Sequence, residues 1–379
     1  VAIVIILESI TFLSVGILVI LTLLSIFNGI TAIRMEKAPL RQSNKKVSLL
    51  IPVRNEAANV QKICESISKC TTQNKEVVFL DDQSTDKTLS LLEEERKKNP
   101  AIQIVSGKPL PKRWVGKSWA CYQLAQVASG EVFLFCDADV AMSSQAIERT
   151  LSWMEEKNLD SISALPLQEM KSWQELAIIP LVMQLSIFAL VPLRLIPVSR
   201  RPSLVVANGQ WLAMTRKAYF AVGGHESVAN SLLEDMELGR KLVAQGFTLL
   251  PILATKDLRV RMYSQASALR EGFTKNLFLL CGGRVWSALA VGCLMIVSLL
   301  WPLIAVGMGL KGAVLSLGLL IVLRLIVGFC FLAPWNCILL HPLGVLGVAH
   351  LLFCSVKAHV QGKVFWRGRE VSATQHLTP

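Results

Sequence analysis

The chain has 379 residues, enough for one large domain or two. Its composition, 53% hydrophobic and only 17% charged, excludes an ordinary soluble protein, and its formal net charge is +12. The basic residues flank apolar stretches and lack interleaved aromatics, so the charge points to anionic lipid headgroups and excludes nucleic acid as the partner.

The first 27 residues carry a single charge, Glu8, and are long enough to cross a hydrocarbon core of roughly 30 Å. A secretory signal would show a shorter apolar core, preceding basic residues and a small-residue cleavage site. None is visible, so residues 1–27 are expected to be a retained membrane anchor. Arg34, Lys37, Arg41, Lys45 and Lys46 follow, and by the positive-inside tendency they place the next segment in the cytoplasm.

From residue 40 the pattern changes. VSLLIPV (47–53) is a short apolar run, and RNEAANVQKICESISKC after it has helical spacing. EVVFLDDQSTDKTLSLLEEERKK repeats the plan, a strand, an acidic turn and a helix that Ser84 or Thr85 is placed to cap. IQIVSG reads as a third strand, SWACYQLAQVA as a helix, and EVFLF as a fourth strand. Strands alternating with helices predict an α/β domain built on a parallel sheet, and ligands of such sheets bind beyond the carboxyl ends of the strands. Asp81, Asp82, Asp137 and Asp139 all fall at those ends. Two aspartates spaced D-x-D in an extended segment point the same way and suit a divalent cation; ordinary polar strand termini are the competing reading.

LAIIPLVMQLSIFALVPL (176–193) is also long enough to span a bilayer. A single crossing would put Asp139 and Asp235 on opposite sides of the membrane. Residues 176–197 are therefore expected to lie in the interface or to enter and return, with Pro180, Pro192 and Pro197 favouring this and Arg194, Arg200 and Arg201 anchoring it. Further on, Ala288–Gly307 and Val314–Phe331 are two more predicted spans; Arg324 inside the second is expected to mark a helix contact. Ile338–Phe353 is shorter, broken by Pro342, and expected to be interfacial. Lys357, Lys363, Arg367 and Arg369 then predict a cytoplasmic tail. Nine scattered cysteines without a C-x-x-C pair form neither a zinc nor a disulfide framework.

IPVRNE, LDDQSTDKT, CDADV and LLEDMELGRKL, in that order, resemble the family 2 glycosyltransferases of the GT-A fold over residues 45–285. The resemblance implies an α/β GT-A nucleotide-sugar-binding domain (40–285) between a transmembrane anchor (1–27) and a C-terminal transmembrane region (286–356) with a cytoplasmic tail (357–379). It implies that Pro52, Asn55 and Glu56 meet the nucleoside and that Asp82 hydrogen-bonds the base. Asp139, with Asp137, would meet a Mg²⁺ or Mn²⁺ ion and the donor diphosphate. Asp235 would be the catalytic base, supported by Glu234, because adjacent residues diverge on a helix and only one can face the site. Lys117, after a glycine at a helix start, is a further donor-binding candidate, a solvated loop lysine being the competing reading. Asn208, Gly209, Gln210 and His225 are candidates on the acceptor side, a structural histidine being the competing and favoured reading of His225.

PLPKRWVGKSWACYQLA, VANGQWLAMTRKAYFAVGGHE and MYSQASALREGFTKNLF resemble the carotenoid and polyisoprenoid-lipid glycosyltransferases, such as the diaponeurosporenoate or chlorobactene type. That implies transfer of one sugar, glucose from a UDP-sugar being expected, to an apolar lipid at a cytoplasm-facing membrane site. The Q-x-x-R-W motif of processive synthases is missing between Leu250 and Trp286, which favours single transfer. The alternatives are a hopanoid, ceramide or polyprenyl phosphate acceptor, or a non-catalytic nucleotide-sugar-binding membrane protein.

Overall fold

The computed structural model describes residues 1–366 and 369–371. Of the predicted tail, Arg367, Gly368, residues 372–379 and the side chain of Arg369 lie outside the described residues. The chain divides into two compact units. One comprises Ala32–Glu169 and Leu193–Arg261; the other comprises Val1–Thr31, Met170–Pro192 and the chain from Met262 onward.

The first unit is built on an eight-stranded sheet. Its strands are β1 (Val47–Val53), β2 (Lys75–Asp81), β3 (Ile102–Ser106), β4 (Val132–Cys136), β5 (Val140–Met142), β6 (Ser161–Gln168), β7 (Trp211–Thr215) and β8 (Leu249–Val260). They lie in the order β3-β2-β1-β4-β7-β6-β8-β5. All of β4 and all of β1 except Pro52 are buried, as continuous apolar runs must be when helices cover both faces of a sheet. Pro52 costs no ladder bond to β4, because β4 pairs with β1 only from Val47 to Leu50, while β2 continues to Val53. The helix Ala57–Ser68 buries Val60, Ile63, Cys64 and Ile67, the spacing of a single apolar stripe.

The sheet is mixed, where alternating strands and helices predicted a parallel one. β1, β2, β3 and β4 are parallel, but β7 runs antiparallel to both β4 and β6, and β5 antiparallel to β8. Connectivity explains β7. β6 ends at Gln168 on the carboxyl edge, and after Met170–Pro192 the chain returns to that same edge, where Trp211 pairs with Cys136. A strand entering from that edge can only run back against its neighbours.

At the opposite edge Glu76 joins three segments. Its carboxylate accepts from the Ser48 hydroxyl, from Ser129 Oγ at 2.5 Å and from Ser129 N at 2.6 Å, with Lys46 Nζ at 3.3 Å. Burial pushes this carboxyl up, but the bonds from Ser129 and Ser48 outweigh it and hold the pKa at about 2. A lowered carboxylate pKa stabilises the fold above the unfolded value of about 4.3, and that stabilisation is lost as pH falls toward about 2. Thermal unfolding of Glu76→Gln is therefore expected to begin from a lower midpoint at neutral pH and to fall less than wild type between these two values. Parallel curves would assign the acid sensitivity elsewhere.

Among the described residues, the second unit contains five helices long and apolar enough to cross a membrane: Ala2–Thr31, Trp173–Leu190, Val285–Gly307, Ala313–Phe331 and His341–Val360. Ala2–Thr31 and Ala313–Phe331 pack side by side. Ser14 Oγ lies 3.0 Å from Ser316 Oγ, and Cys330 Sγ lies against Gly29, so small and hydroxyl side chains line the contact. Asn28 Nδ2 donates to the carbonyls of Phe188 and Val191, each at 2.7 Å, satisfying the frayed end of Trp173–Leu190. The expected break at Pro342 does not occur. Pro342 sits in the first turn of His341–Val360, where the missing N–H has no helical partner to lose, and the helix runs on for 20 residues.

Candidate active site

The register of the parallel strands brings the acidic motifs to one edge. Val53 of β1 pairs with Asp81 of β2, and β4 on the other side of β1 ends at Cys136, immediately before Asp137. Strand order reverses between β1 and β4, the position where open α/β sheets leave a crevice for ligands.

Around β1 and β2 the loops tie each other down. Arg54 Nη1 donates to the Asp82 carbonyl at 2.6 Å and lies 3.6 Å from Asp82 Oδ2, while Asp82 N donates to the Val53 carbonyl. Asp82 is buried and Pro52 half-buried. Asn55 takes a left-handed backbone, φ 54°, which Asn tolerates better than most residues. Its Oδ1 accepts from Thr85 N at 2.8 Å, and its N–H donates to Ser84 Oγ at 3.0 Å. Ser84 and Thr85 are thus engaged with Asn55 and do not cap the helix Thr88–Lys98. Lys87 is the N-cap residue, and Asp86 before it serves the first turn, its Oδ1 accepting from Thr88 N at 2.9 Å. Glu56 N donates to Thr88 Oγ1, and Glu56 Oε2 accepts from Asn59.

The second group gathers at the ends of β4 and β7. Lys117, in the first turn of the helix Gly116–Val127, places Nζ 2.6 Å from Asp137 Oδ1 and 3.5 Å from Glu234 Oε1. Partial burial disfavours its charge, but the carboxylates of Asp137 and Glu234 prevail and hold the ammonium well above its ordinary range. Asp235 accepts two backbone N–H bonds, from Gly209 to Oδ2 and from Met236 to Oδ1, both 2.7 Å. Glu234 and Asp235 open the helix Glu234–Ala244 and both reach this cluster, where divergence had been expected. The 208–210 loop explains it. It lies over the first helical turn, so Asp235 meets Gly209 directly while the longer Glu234 reaches Lys117.

Gly209 is a close approach. A Cβ there would lie 3.0 Å from Lys117 Nζ and 3.3 Å from Asp235 Oδ2. Gly209→Ala is expected to displace the lysine from Asp137 and to slow transfer several-fold while the unfolding temperature stays close to wild type. Unchanged kinetics would mean the lysine yields without consequence. Asn208 and Gln210 face each other, not open space. Asn208 Nδ2 and Gln168 Nε2 both donate to Gln210 Oε1 at 3.0 Å, and Asn208 N donates to Ser163 Oγ at 2.7 Å.

His225 lies in the core, as the structural reading of this histidine has it. It is 3% exposed, its Nδ1 is 3.1 Å from the Tyr219 hydroxyl, and its ring packs edge-on against Phe135. Burial, with Lys117 nearby, pushes its pKa down to about 3, so it is neutral at physiological pH.

The D-x-D is not extended. Val140 N donates to the Asp137 carbonyl at 3.2 Å, so Asp137–Val140 is a turn that delivers the chain into β5. Asp137 and Asp139 are half-buried, and Asp137 is engaged by Lys117. Among the described residues no three His, Cys, Asp or Glu side chains form an all-protein metal cage. The donor set still fits Mg²⁺ or Mn²⁺ in their usual nucleotide mode, one or two carboxylates completed by substrate phosphates and water.

Sequence reasoning passed over Arg54 and Gln168. Arg54 stands inside the quoted IPVRNE motif beside Asn55, and that adjacency was its signal. Gln168 ends a strand without any local mark.

The mixed sheet, its carboxyl edge and the flanking helices have the arrangement of the GT-A fold. Residues 48–187 match the model of Glycosyl transferase family 2. The chain is 25% identical over 360 residues to the 4,4'-diaponeurosporenoate glycosyltransferase of Staphylococcus aureus (strain MRSA252), covering 90% of this chain and 92% of that protein. The enzyme of that name from Staphylococcus haemolyticus (strain JCSC1435) is 25% identical over 240 residues, which span 62% of each chain. Among solved structures, the mannosyltransferase PcManGT from Pyrobaculum calidifontis, in complex with GDP-Man and Mn²⁺, is similar in fold with a TM-score of 0.56 and 16% identity. That likeness covers 93% of this chain and 99% of that one.

Proposed function

We propose that the chain transfers a single sugar from a nucleotide-diphosphate sugar, UDP-glucose being the expected donor, to an apolar lipid such as a carotenoid, at the cytoplasmic face of a membrane. The observation that carries this reading is the convergence of Lys117, Asp137, Glu234 and Asp235 on Gly209 at the sheet's carboxyl edge. The kinship with diaponeurosporenoate glycosyltransferases supports the acceptor class, and the Mn²⁺ and GDP-Man of PcManGT support the kind of donor.

In this reading Asp82, oriented by Arg54, meets the nucleobase. Asp139 would hold the divalent ion, which when bound neutralises charge on the leaving diphosphate. Lys117 adds a fixed positive charge near the bond that breaks between the anomeric carbon and the phosphate oxygen. The acceptor hydroxyl oxygen forms the new bond, and its proton passes to Asp235, held in orientation by the Gly209 and Met236 N–H groups. Glu234 positions Lys117.

The sheet also supports a returning path for Trp173–Leu190. β6 before it and β7 after it are hydrogen-bonded neighbours, so a single crossing would tear one sheet across the bilayer. Incubating membranes that contain the chain with a panel of nucleotide sugars and extracted lipids, then weighing the products, tests the function. Glycosylated apolar lipid is expected, and sugar release to water alone would overturn the acceptor assignment. Cytoplasmic orientation predicts that a cysteine placed at Asn99 resists an impermeant thiol reagent in intact cells; ready labelling would reverse it.

A further inference from the structure

The loop that carries Gly209 is held by buried amides. Asn208, Gln210 and Gln168 are 8%, 4% and 4% exposed. Their hydrogen bonds form one network with a fixed direction. Gln210 N, a backbone group that can only donate, gives its hydrogen to Asn208 Oδ1 at 3.0 Å. Asn208 must then turn its NH₂ the other way, and Nδ2 donates to Gln210 Oε1 at 3.0 Å. With its oxygen so placed, Gln210 can be met from β6 only by a donor, and Gln168 Nε2 supplies one at 3.0 Å. One backbone N–H thus settles the orientation of all three amides.

β6 is shaped to deliver this contact. Residues five apart in a regular strand point to opposite faces. Yet Ser163 Oγ accepts from Asn208 N at 2.7 Å while Gln168 reaches Gln210, so both grip the same loop. Between them the pairing with β8 jumps, Pro166 standing opposite Ala254 and Leu167 opposite Arg259. An irregularity of this kind re-aims the side chains beyond it. Gln168 makes no second use of its polarity among the described residues, because its Oε1 is buried without a partner. An apolar side chain would fill the place without leaving a carbonyl unpaired, so packing alone does not account for a glutamine.

What the network holds is the meeting point of the site. Gly209 N donates to Asp235 Oδ2 at 2.7 Å, and a Cβ on Gly209 would lie 3.0 Å from Lys117 Nζ. The Gln210 carbonyl accepts from Asp137 N at 3.3 Å. Backbone atoms of two successive residues therefore fix Asp235 and Asp137 together. A small shift of this loop moves Asp235, and reacting groups lose rate steeply with such displacement. Asp82 and Arg54, assigned to the nucleobase, hold each other and the end of β1 instead.

We infer that Gln168 is a positioning residue for the transfer step. Through Gln210 and Asn208 it keeps the Gly209 N–H on Asp235, and so keeps the base aligned with the acceptor oxygen. This role rests on the reading of Asp235 as the base. Gln168 touches neither donor nor acceptor, so it acts on the rate of the step and not on nucleotide binding.

The test is kinetic, on the full chain in membranes with an alcohol acceptor, and uses Gln168→Met, Asp235→Asn and the double variant. Methionine nearly conserves the volume of glutamine and removes its hydrogen bond. Gln168→Met is expected to lower kcat about tenfold, with the KM for nucleotide sugar, UDP binding and the unfolding midpoint near wild type. In the Asp235→Asn background the same change should cost nothing further, because the group it positions no longer takes the proton. Gln168→Asn, one methylene too short for Gln210, should follow Gln168→Met and replaces it if the methionine variant does not fold. A further slowing of the double variant by the same factor would overturn the role of Gln168 and leave the base in place, as would weaker UDP binding in place of a slower step. A wild-type rate for Asp235→Asn would overturn the base and Gln168 together. Should wild type transfer no sugar, amide hydrogen exchange across residues 205–212 decides. Gln168→Met is expected to quicken it, and unchanged exchange would overturn the hold on the loop.

Discussion

Asp235→Asn is expected to slow transfer to a hydroxyl acceptor by roughly 10²- to 10⁴-fold, the usual cost of losing a general base. Donor affinity should hardly change, because Asp235 sits against Gly209 and Met236, apart from the Asp82–Arg54 loops to which the proposal assigns the donor. The amide must turn its NH₂ toward one of the two backbone N–H groups that the carboxylate now accepts, so folding is checked by thermal unfolding alongside the kinetics. Asp82→Asn should give the opposite pattern, weaker donor binding with less effect on the chemical step. A near-normal Asp235→Asn rate on an alcohol would move the base to Glu234, the other carboxylate of the cluster. A carboxylate acceptor is a separate case. It is already ionised near neutral pH and needs no base, so activity retained on a carboxylate but lost on an alcohol would identify the acceptor class.

Asp139→Ala is expected to reduce transfer by on the order of 10²-fold or more, since metal-ion charge stabilisation is worth several kcal/mol. The distinguishing readout is nucleotide binding. With Mn²⁺ present the variant should bind UDP more weakly than wild type, and in excess chelator the two should bind alike. Asp137→Ala should behave differently, because Asp137 is the partner of Lys117 at 2.6 Å. Freeing that lysine is expected to alter affinity for UDP with or without metal. Full wild-type activity in excess chelator would remove the ion from the reaction, and the charge on the leaving diphosphate would then fall to Lys117.

Much was legible in the sequence because it is local. Apolar runs ending in LDD and CDADV announce strands that present carboxylates at one edge, since burial forces the run and the edge releases it. The order of four motifs marked the family, and long uncharged stretches marked helices of membrane-crossing length. Local reading erred where two readings share one pattern. Pro342 looks the same whether it breaks a helix or begins one, and Ser84 and Thr85 resemble caps until Asn55 claims them.

By itself, then, the amino-acid sequence determined the elements, the acidic edge and the class of chemistry, because side-chain periodicity and charge act within a few residues of one another. Tertiary structure decided who meets whom. It ran β7 against β4, laid Gly209 between Lys117 and Asp235, gave Asp137 to Lys117, turned the D-x-D back into β5, and withdrew His225 to Tyr219. These pairings join segments distant along the chain, and their geometry follows from the order in which strands enter the sheet. No local window contains that order.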